Sequence, residues 1–326
     1  MARLRALLGA WETVHLRVHA VAGGGIETPF AGSLLRGAFG ASLYRLVCVR
    51  KGIPCGSCFL WNQCFYPFFF DPPPRPSGLP GTSLRGPTAR PFALLVPERI
   101  RPGEVVFEIK LFAIPQQSLA YLLLSLVEMG RAGVGRDRVP FELARIESLA
   151  PGEAPAPIYV RERGLFPQRT CRFPVTRIFD GGTGGGEAPE APGSRSSVAL
   201  EFRTPLRMKE GGRIRSGFGP ERMVRAALRR LSDLGASLGQ SWPRAWPGAI
   251  AASREVLCLG ERTRWLDWGR YSRRQGRAMR LGGAVGRVEY REVPTALVAL
   301  LRTACFAQLG KNTTFGLGVV ELQEGS

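Results

Sequence analysis

The chain has 326 residues, 44% of them apolar and 22% charged, which is enough to bury a sizeable core and excludes a disordered or fibrous chain. Its 45 Lys+Arg against 26 Asp+Glu leave a net charge of +19, a field that attracts polyanions and makes nucleic acid the expected partner. The longest apolar run, Leu119–Val127, is about half a membrane span. The basic N-terminus runs into Trp11-Glu12-Thr13 with no cleavage-site pattern, so a cytoplasmic protein with no membrane partner is expected. Lysine occurs only at Lys51, Lys110, Lys209 and Lys311. Arginine, which grips phosphate bidentately and stacks on bases, carries the rest and suits an RNA surface. A GC-rich genome would explain arginine over lysine, but not the excess of base over acid.

The first predicted strand is Trp11–Val21, where Val14, Leu16, Val18 and Ala20 alternate with Thr13, His15, Arg17 and His19. A Gly-rich loop follows, then a helix over Leu34–Val47 and a Cys/Pro-rich insert at 48–90. Strands are predicted at Phe92–Val96 and Val105–Ala113, a helix at Gln116–Arg131 and a strand at Phe141–Leu149. This β-α-β-β-α-β order is the ferredoxin-like plan. Residues Asp180–Ser197 lack apolar periodicity and read as a flexible loop. The pattern then restarts: strand Val198–Thr204, amphipathic helix Pro220–Leu238, strand Arg254–Leu259, strand or hairpin Met279–Arg291, helix Pro294–Leu309 and strand Val319–Leu322. The expected fold is therefore α+β, two ferredoxin-like domains in tandem. The first spans 1–152 with the Cys-rich insert; the second spans 153–326 with a glycine-rich loop at 310–318.

Four of the seven cysteines, Cys48, Cys55, Cys58 and Cys64, fall in the insert. The two-residue spacing of Cys55-Gly-Ser-Cys58 lets two thiolates hold one ion, with Cys48 and Cys64 completing a tetrahedron. A structural zinc ion or iron–sulfur cluster, a reduced metal-free loop and a redox role are the three readings; a disulfide framework is not expected. Cys171, Cys258 and Cys305 are dispersed, as small core residues are. His15 and His19 are the only histidines. If their strand face meets RNA, either is a candidate general acid or base; otherwise it is a polar sheet face under a packed element.

The Gly130–Gly135 segment follows a helix, so it is a helix end and turn, not a dinucleotide fingerprint. Gly310–Gly318 lies between a helix and a strand; its glycines allow close backbone approach, and Lys311 and its hydroxyls are phosphate ligands in kind. The run Arg262–Gln275 interleaves cations with Trp265, Trp268 and Tyr271. That pattern suits backbone neutralisation with base stacking, or a solvated, salt-bridged surface.

Several segments together resemble a known family. They are Gly32–Gly40 followed by the cysteine cluster; the Gly133–Gly135 turn with Pro140-Phe141-Glu142-Leu143; and Arg203-Thr204-Pro205-Leu206-Arg207, leading into a helix with Arg229-Arg230-Leu231. Trp268–Gln275 and Gly310–Gly318 complete the set. Their order and spacing resemble the CRISPR precursor-RNA processing endoribonucleases of the RAMP superfamily, over nearly the whole chain. The resemblance implies two RRM-like domains and cleavage within CRISPR repeat RNA by its own 2′-hydroxyl, leaving 5′-hydroxyl and 2′,3′-cyclic phosphate ends. No cofactor is implied for that chemistry, and retention of the crRNA among effector-complex subunits is. Carried over by position, Lys311, Asn312, Thr313, Thr314, Phe315 and Gly316 are RNA contacts, and Arg36, Arg270, Tyr271, Arg273 and Arg274 lie along the RNA path. Where family members place a histidine on the first helix, or one before the Gly-Lys pair, this chain has Ala41, Ser42 and Tyr44, and Gln308. The catalytic candidates are accordingly His15, His19, Tyr44 and Lys311, with Arg36 beside them. A catalytically silent crRNA-binding subunit is the alternative, and an unrelated zinc-stapled RNA-binding module the third reading.

Overall fold

The computed structural model describes residues 2–325 except 25–30, 73–88, 98–102, 136, 166–171, 182–193, 211–212, 215, 244–245, 268 and 273–276. The chain opens with α1 (Ala2–Gly9) and β1 (Glu12–Ala22), then α2 (Gly32–Val47), a 3-10 turn at Cys55–Ser57 and a short α3 (Phe65–Phe70). There follow β2 (Phe92–Leu95), β3 (Val105–Phe112), α4 (Ser118–Ala132) and β4 (Phe141–Ser148). Three short strands, β5 (Ala156–Val160), β6 (Gly164–Leu165) and β7 (Arg172–Pro174), lead to a single turn of helix, α5 (Thr176–Phe179). The second half runs β8 (Arg195–Leu206), β9 (Lys209–Glu210), β10 (Arg213–Ile214), α6 (Pro220–Ser237) and α7 (Pro247–Arg254). It ends with β11 (Leu257–Leu266), β12 (Gly269–Ser272), β13 (Arg277–Arg280), β14 (Gly283–Pro294), α8 (Thr295–Phe306) and β15 (Val320–Gly325).

The two main sheets have the same plan. In the first, β2-β3-β1-β4 are neighbours and antiparallel; in the second, β11-β14-β8-β15 are. Each outer pair flanks a hairpin partner and the first strand, so both units are ferredoxin-like. Alternation on β1 sends Val14, Leu16, Val18 and Ala20 to one face, where they meet Leu35, Phe39 and Leu43 of α2 and Leu122, Leu126 and Met129 of α4. Those helical positions recur every three or four residues, which puts them on one stripe. Each large side chain buried there contributes roughly 1.5–3 kcal/mol.

The division of the chain differs from the expected 1–152 and 153–326. Strands β5 and β6 extend the first sheet beyond β4, and β7 pairs with β1, so the first sheet uses residues up to Pro174. Conversely, Leu4 and Leu8 of α1, together with Trp11, are buried in the second unit's core. The Trp11 indole N–H donates to Gln240 Oε1 at 2.7 Å. The predicted strand at Arg254–Leu259 is instead the end of α7 followed by the longer β11. As an edge strand exposed along most of its length, β11 carries no burial alternation to read. The segment predicted as β near Met279–Arg291 divides into β13 and β14. The predicted loop at 180–197 yields three residues to β8, and 182–193 lie outside the described residues.

The two units meet at the end of α8. The Lys110 ammonium, from the open face of the first sheet, donates to the Phe306 carbonyl at 3.1 Å and sits 4.4 Å from that ring's centre. The Arg230 guanidinium donates twice to the Ala307 carbonyl, at 3.0 and 2.9 Å. The buried Gln308 amide donates to Leu94 O at 2.8 Å. Two buried cations thus cap the carbonyl end of one helix, where its dipole is negative, and the chain leaves that anchored end directly into residues 310–318.

Candidate nucleic-acid interface

The segment after α8 is coiled by positive φ at Gln308 (59°), Gly310 (77°), Asn312 (67°), Gly316 (83°) and Gly318 (72°). Gly310 must be glycine on two counts: its φ, and an added Cβ 2.5 Å from Arg207 O. Backbone bonds from Lys311 N to Arg207 O (3.0 Å), Gly318 N to Pro205 O (3.2 Å) and Leu309 N to Gly318 O (2.9 Å) close the loop on the end of β8. Lys311 is exposed, whereas Thr313 and Thr314 are buried. The lysine is therefore the loop's outward charge, and the threonines are mostly internal.

Helix α2 starts against this loop. A Cβ on Gly32 would lie 2.0 Å from Phe315 O, so only glycine lets the helix approach so closely. One turn on, the Arg36 guanidinium is held between two rings, 5.3 Å from the centre of Phe70 and 5.1 Å from that of Phe315. Arg36 thereby joins α2, the insert and the glycine-rich loop. Beyond it lies a cavity of about 560 Å³ whose lining includes Arg36, Tyr44, Arg45, Tyr66, Phe70 and Asp71. The Tyr44 oxygen accepts from Gly52 N at 3.3 Å and its ring meets Tyr66 at 5.1 Å. Its hydrogen bond to the Cys48 thiol pushes the phenol above its ordinary pKa, so Tyr44 is a neutral donor at physiological pH.

The four cysteines gather at the end of α2, half-buried and free of disulfides. Burial raises Cys55 and Cys64, helped at Cys55 by Asp71 and, more weakly, at both by neighbouring thiols. Among the described residues no group of three or more His, Cys, Asp or Glu is disposed to hold a metal ion. The segment also has an aromatic anchor. Pro67, Phe69 and Phe70 of α3 are buried, and Phe70 meets Phe39 at 5.6 Å and Phe92 at 5.3 Å.

On the other side of the loop, α6, the end of β8 and residues 310–315 enclose a cavity of about 230 Å³. Its lining carries eight cations, Arg90, Arg207, Lys209, Arg222, Arg225, Arg229, Arg230 and Lys311, and one carboxylate, Asp233. Arg229 donates to Lys209 O at 3.3 Å, Arg230 to Ala307 O, and Arg207 to Gly282 O. Bonds to neutral carbonyls fix a guanidinium without cancelling its charge. Burial lowers Arg230 to about 10, still charged at neutral pH. Sequence reasoning picked out this helix but left its arginines out of the site. The available signal was their spacing: Arg222, Arg225 and Arg229 recur at three and four residues, one stripe of α6.

The histidines are elsewhere. They alternate with the residues that pack under α2, so they project from the opposite face of the first sheet to Tyr44 and Arg36. His15 Nε2 is 2.7 Å from Glu108 Oε2, and its ring meets Phe306 edge-on at 5.7 Å. Burial lowers the pKa of His15. At Glu108 burial works upward, but His15 and Arg17 outweigh it and hold the carboxyl at about 2. His19 pairs with Glu147 at 3.0 Å. The shared face is thus a polar sheet surface, covered at His15 by the second unit, and not an open RNA platform. A wider cleft of about 670 Å³ between the units mixes Arg203 and Arg264 with Glu108 and Glu201. Arg270 and Tyr271 lie on β12, paired with Met279 and Ala278; Arg273 and Arg274 lie outside the described residues.

Comparison with known proteins agrees with this arrangement. A family model described as an N-terminal domain matches residues 11–170, and the model for CRISPR-associated endoribonuclease Cas6 matches 200–320. No curated protein matches the chain. Among solved structures, the partial Cas6-RT-Cas1–Cas2 complex is 12% identical with a TM-score of 0.58, covering 97% of this chain and 46% of that one. The chain thus spans less than half of that relative's length. A Cas6 product complex, of the Thermus thermophilus protein, is 17% identical (TM-score 0.54), covering 95% and 99% of the two chains. A second Cas6 product complex is 19% identical (TM-score 0.51), covering 96% and 99%. The second unit of this chain thus matches the Cas6 endoribonuclease model, and its two-unit fold is that of free-standing Cas6 along that protein's full length.

Proposed function

We propose that this chain binds CRISPR repeat RNA and cuts it once, by attack of the RNA's own 2′-hydroxyl on the adjacent phosphate, leaving 5′-hydroxyl and 2′,3′-cyclic phosphate ends. One observation carries the reading: the 310–318 loop is seated between Arg36 on α2 and the cationic α6 groove. A phosphodiester backbone lying in that groove meets fixed charge at every step, and crossing the loop brings it to Arg36 and Tyr44. Cleavage needs in-line alignment, loss of the 2′-hydroxyl proton, which passes to water, a proton donor for the leaving 5′-oxygen and stabilisation of the phosphorane's charge. Lys311 and Arg36 serve as the cations, and Tyr44, a neutral phenol, as the donor. The RNA 2′-hydroxyl is the nucleophile, so this route assigns no step to a metal ion or cofactor. The processed RNA stays on the groove, ready for handover to effector or integration subunits of a CRISPR system.

A second reading has a specific observation in its favour. Both histidines lie on the far face of the first sheet, so neither cavity beside the loop contains the residue best suited to move a proton near neutral pH. A subunit that holds crRNA without cutting it would look the same. The test is incubation of the purified chain with its repeat RNA and with an unrelated hairpin of equal length. Cleavage of the repeat alone, abolished by one 2′-deoxy substitution at the cut, supports the nuclease. Binding of the repeat with no cut under any condition supports the silent subunit. Equal binding of both RNAs contradicts repeat-specific recognition.

A further inference from the structure

The α6 cavity has a shape and lining that a plain backbone groove does not need. We propose that it is a pocket for one unpaired nucleotide of the bound RNA, with Asp233 reading the base; this rests on the RNA-processing reading above. A phosphate track requires only a cationic surface. Here there is instead a concavity of about 230 Å³, room for a single base. Its lining combines apolar Ala89, Met208 and Ala226, in or packed against the core, with the exposed cations Lys209, Arg229 and Lys311. Bases present flat apolar faces and polar edges, and sequence-specific RNA recognition captures splayed-out bases by contact with both.

The polar edge is where Asp233 enters. It is the one carboxylate in a lining of eight cations. Arginine and lysine can only donate, so they read acceptor edges and phosphates. A carboxylate accepts, and the matching partners on a base are N–H donors: the exocyclic amine of adenine or cytosine, or the paired N1–H and N2–H of guanine. Uracil, with a single ring N–H and two carbonyls, is the poorest match. Asp233 also acts on the buried Arg230 guanidinium, whose pKa its charge raises against the effect of burial. Both Arg230 hydrogen bonds described here go to the Ala307 carbonyl, which keeps that guanidinium anchored at the pocket wall. Asp233 is therefore a specificity residue, distinct from the groups that touch the scissile phosphate.

The experiment is an abasic scan of the repeat RNA. Each nucleotide in turn is replaced by a base-free sugar, and affinity is measured for the wild-type chain and for Ala226→Leu, which fills the cavity from its partly buried apolar lining. In the wild type, one position loses about tenfold or more, and that penalty disappears in Ala226→Leu while the penalties at other positions stay. Asp233→Asn, read against the four bases at the same position, removes the discrimination against uracil there and leaves the salt dependence of binding unchanged. If every abasic penalty is the same in both variants, or if Asp233→Asn weakens all RNAs alike, the nucleotide pocket is refuted although RNA is bound. If the wild-type chain binds no repeat RNA at all, it is the function above that fails, and the pocket falls with it.

Discussion

Replacing Gly32 by alanine tests the seam between α2 and the glycine-rich loop with one methyl group. The added Cβ would lie 2.0 Å from the carbonyl oxygen of Phe315 and 2.7 Å from its carbon. A carbon–oxygen contact settles near about 3.3 Å, so loop and helix must separate by on the order of 1 Å, against backbone that is tied to β8 and cannot swing aside. Overpacking of this kind costs about 1–3 kcal/mol, partly offset by the roughly 1 kcal/mol that alanine gains over glycine inside a helix. The same helix supplies the control. Gly37 is exposed, with nothing within 4 Å of an added Cβ, so Gly37→Ala should stabilise by about 0.5–1 kcal/mol. Urea unfolding of both variants measures the contrast, and repeat-RNA cleavage measures its consequence. A displacement of about 1 Å beside reacting groups costs on the order of 100-fold in rate, and Gly37→Ala should cost nothing comparable. A Gly32→Ala variant as stable as Gly37→Ala, and as active as wild type, would refute the close approach of helix and loop on which the site depends.

Burial holds Lys110 near pH 8 against its ordinary 10.5, so between those values the unfolded chain binds the proton that the folded chain has lost. Stability therefore rises as pH climbs from about 8 to 10.5, and Lys110→Met should flatten that slope in urea titrations run across the range. Glu108 gives a slope of the same sign in a lower window: its carboxyl is held at about 2, so its stabilising contribution is present above about pH 4.5 and is lost as pH falls toward 2. Glu108→Gln should blunt acid unfolding, and an unchanged acid limb would count against the His15–Glu108–Arg17 network. Arg36→Ala removes a cation from between two rings, and should lose about 1–3 kcal/mol of stability along with most cleavage, whereas Arg36→Lys should recover stability better than rate. Lys311→Ala and Arg229→Gln should each reduce the slope of log affinity against log salt by about 1, uniformly across RNA sequences; sequence-dependent losses would contradict their assignment to phosphate.

The fold was legible where one face of an element is buried. The alternation of β1, the helical spacing of Leu35, Phe39 and Leu43, and the repeat of that order in the second half all read correctly because a buried face imposes its period on the sequence. Elements without such a face were not legible. β11 is exposed along most of its length, α1 and α7 are eight residues each, β6 and β7 are only two and three residues long, and β7 is held by β1, far away in the chain. The site divided along the same line. Lys311, Arg36 and Tyr44 were visible as residue types within motifs, but their neighbourhood was not. Nothing local says that Gly32 touches Phe315, that Arg36 lies between Phe70 and Phe315, or that the α6 stripe faces the loop. The histidines misled for a related reason: the open face of a ferredoxin-like sheet is a natural RNA platform, and here, at His15, it is filled by Phe306 from the second unit.

The most direct test of the central claim is mass analysis of repeat RNA, taken from the array beside the gene, after incubation with the purified chain in EDTA. The account predicts one cut, with fragment masses that match a 2′,3′-cyclic phosphate and a 5′-hydroxyl, and no cut when Arg36 and Lys311 are both replaced by alanine. Intact RNA in EDTA with cleavage restored only by a divalent ion, or products ending in 3′-hydroxyl and 5′-phosphate, would contradict it.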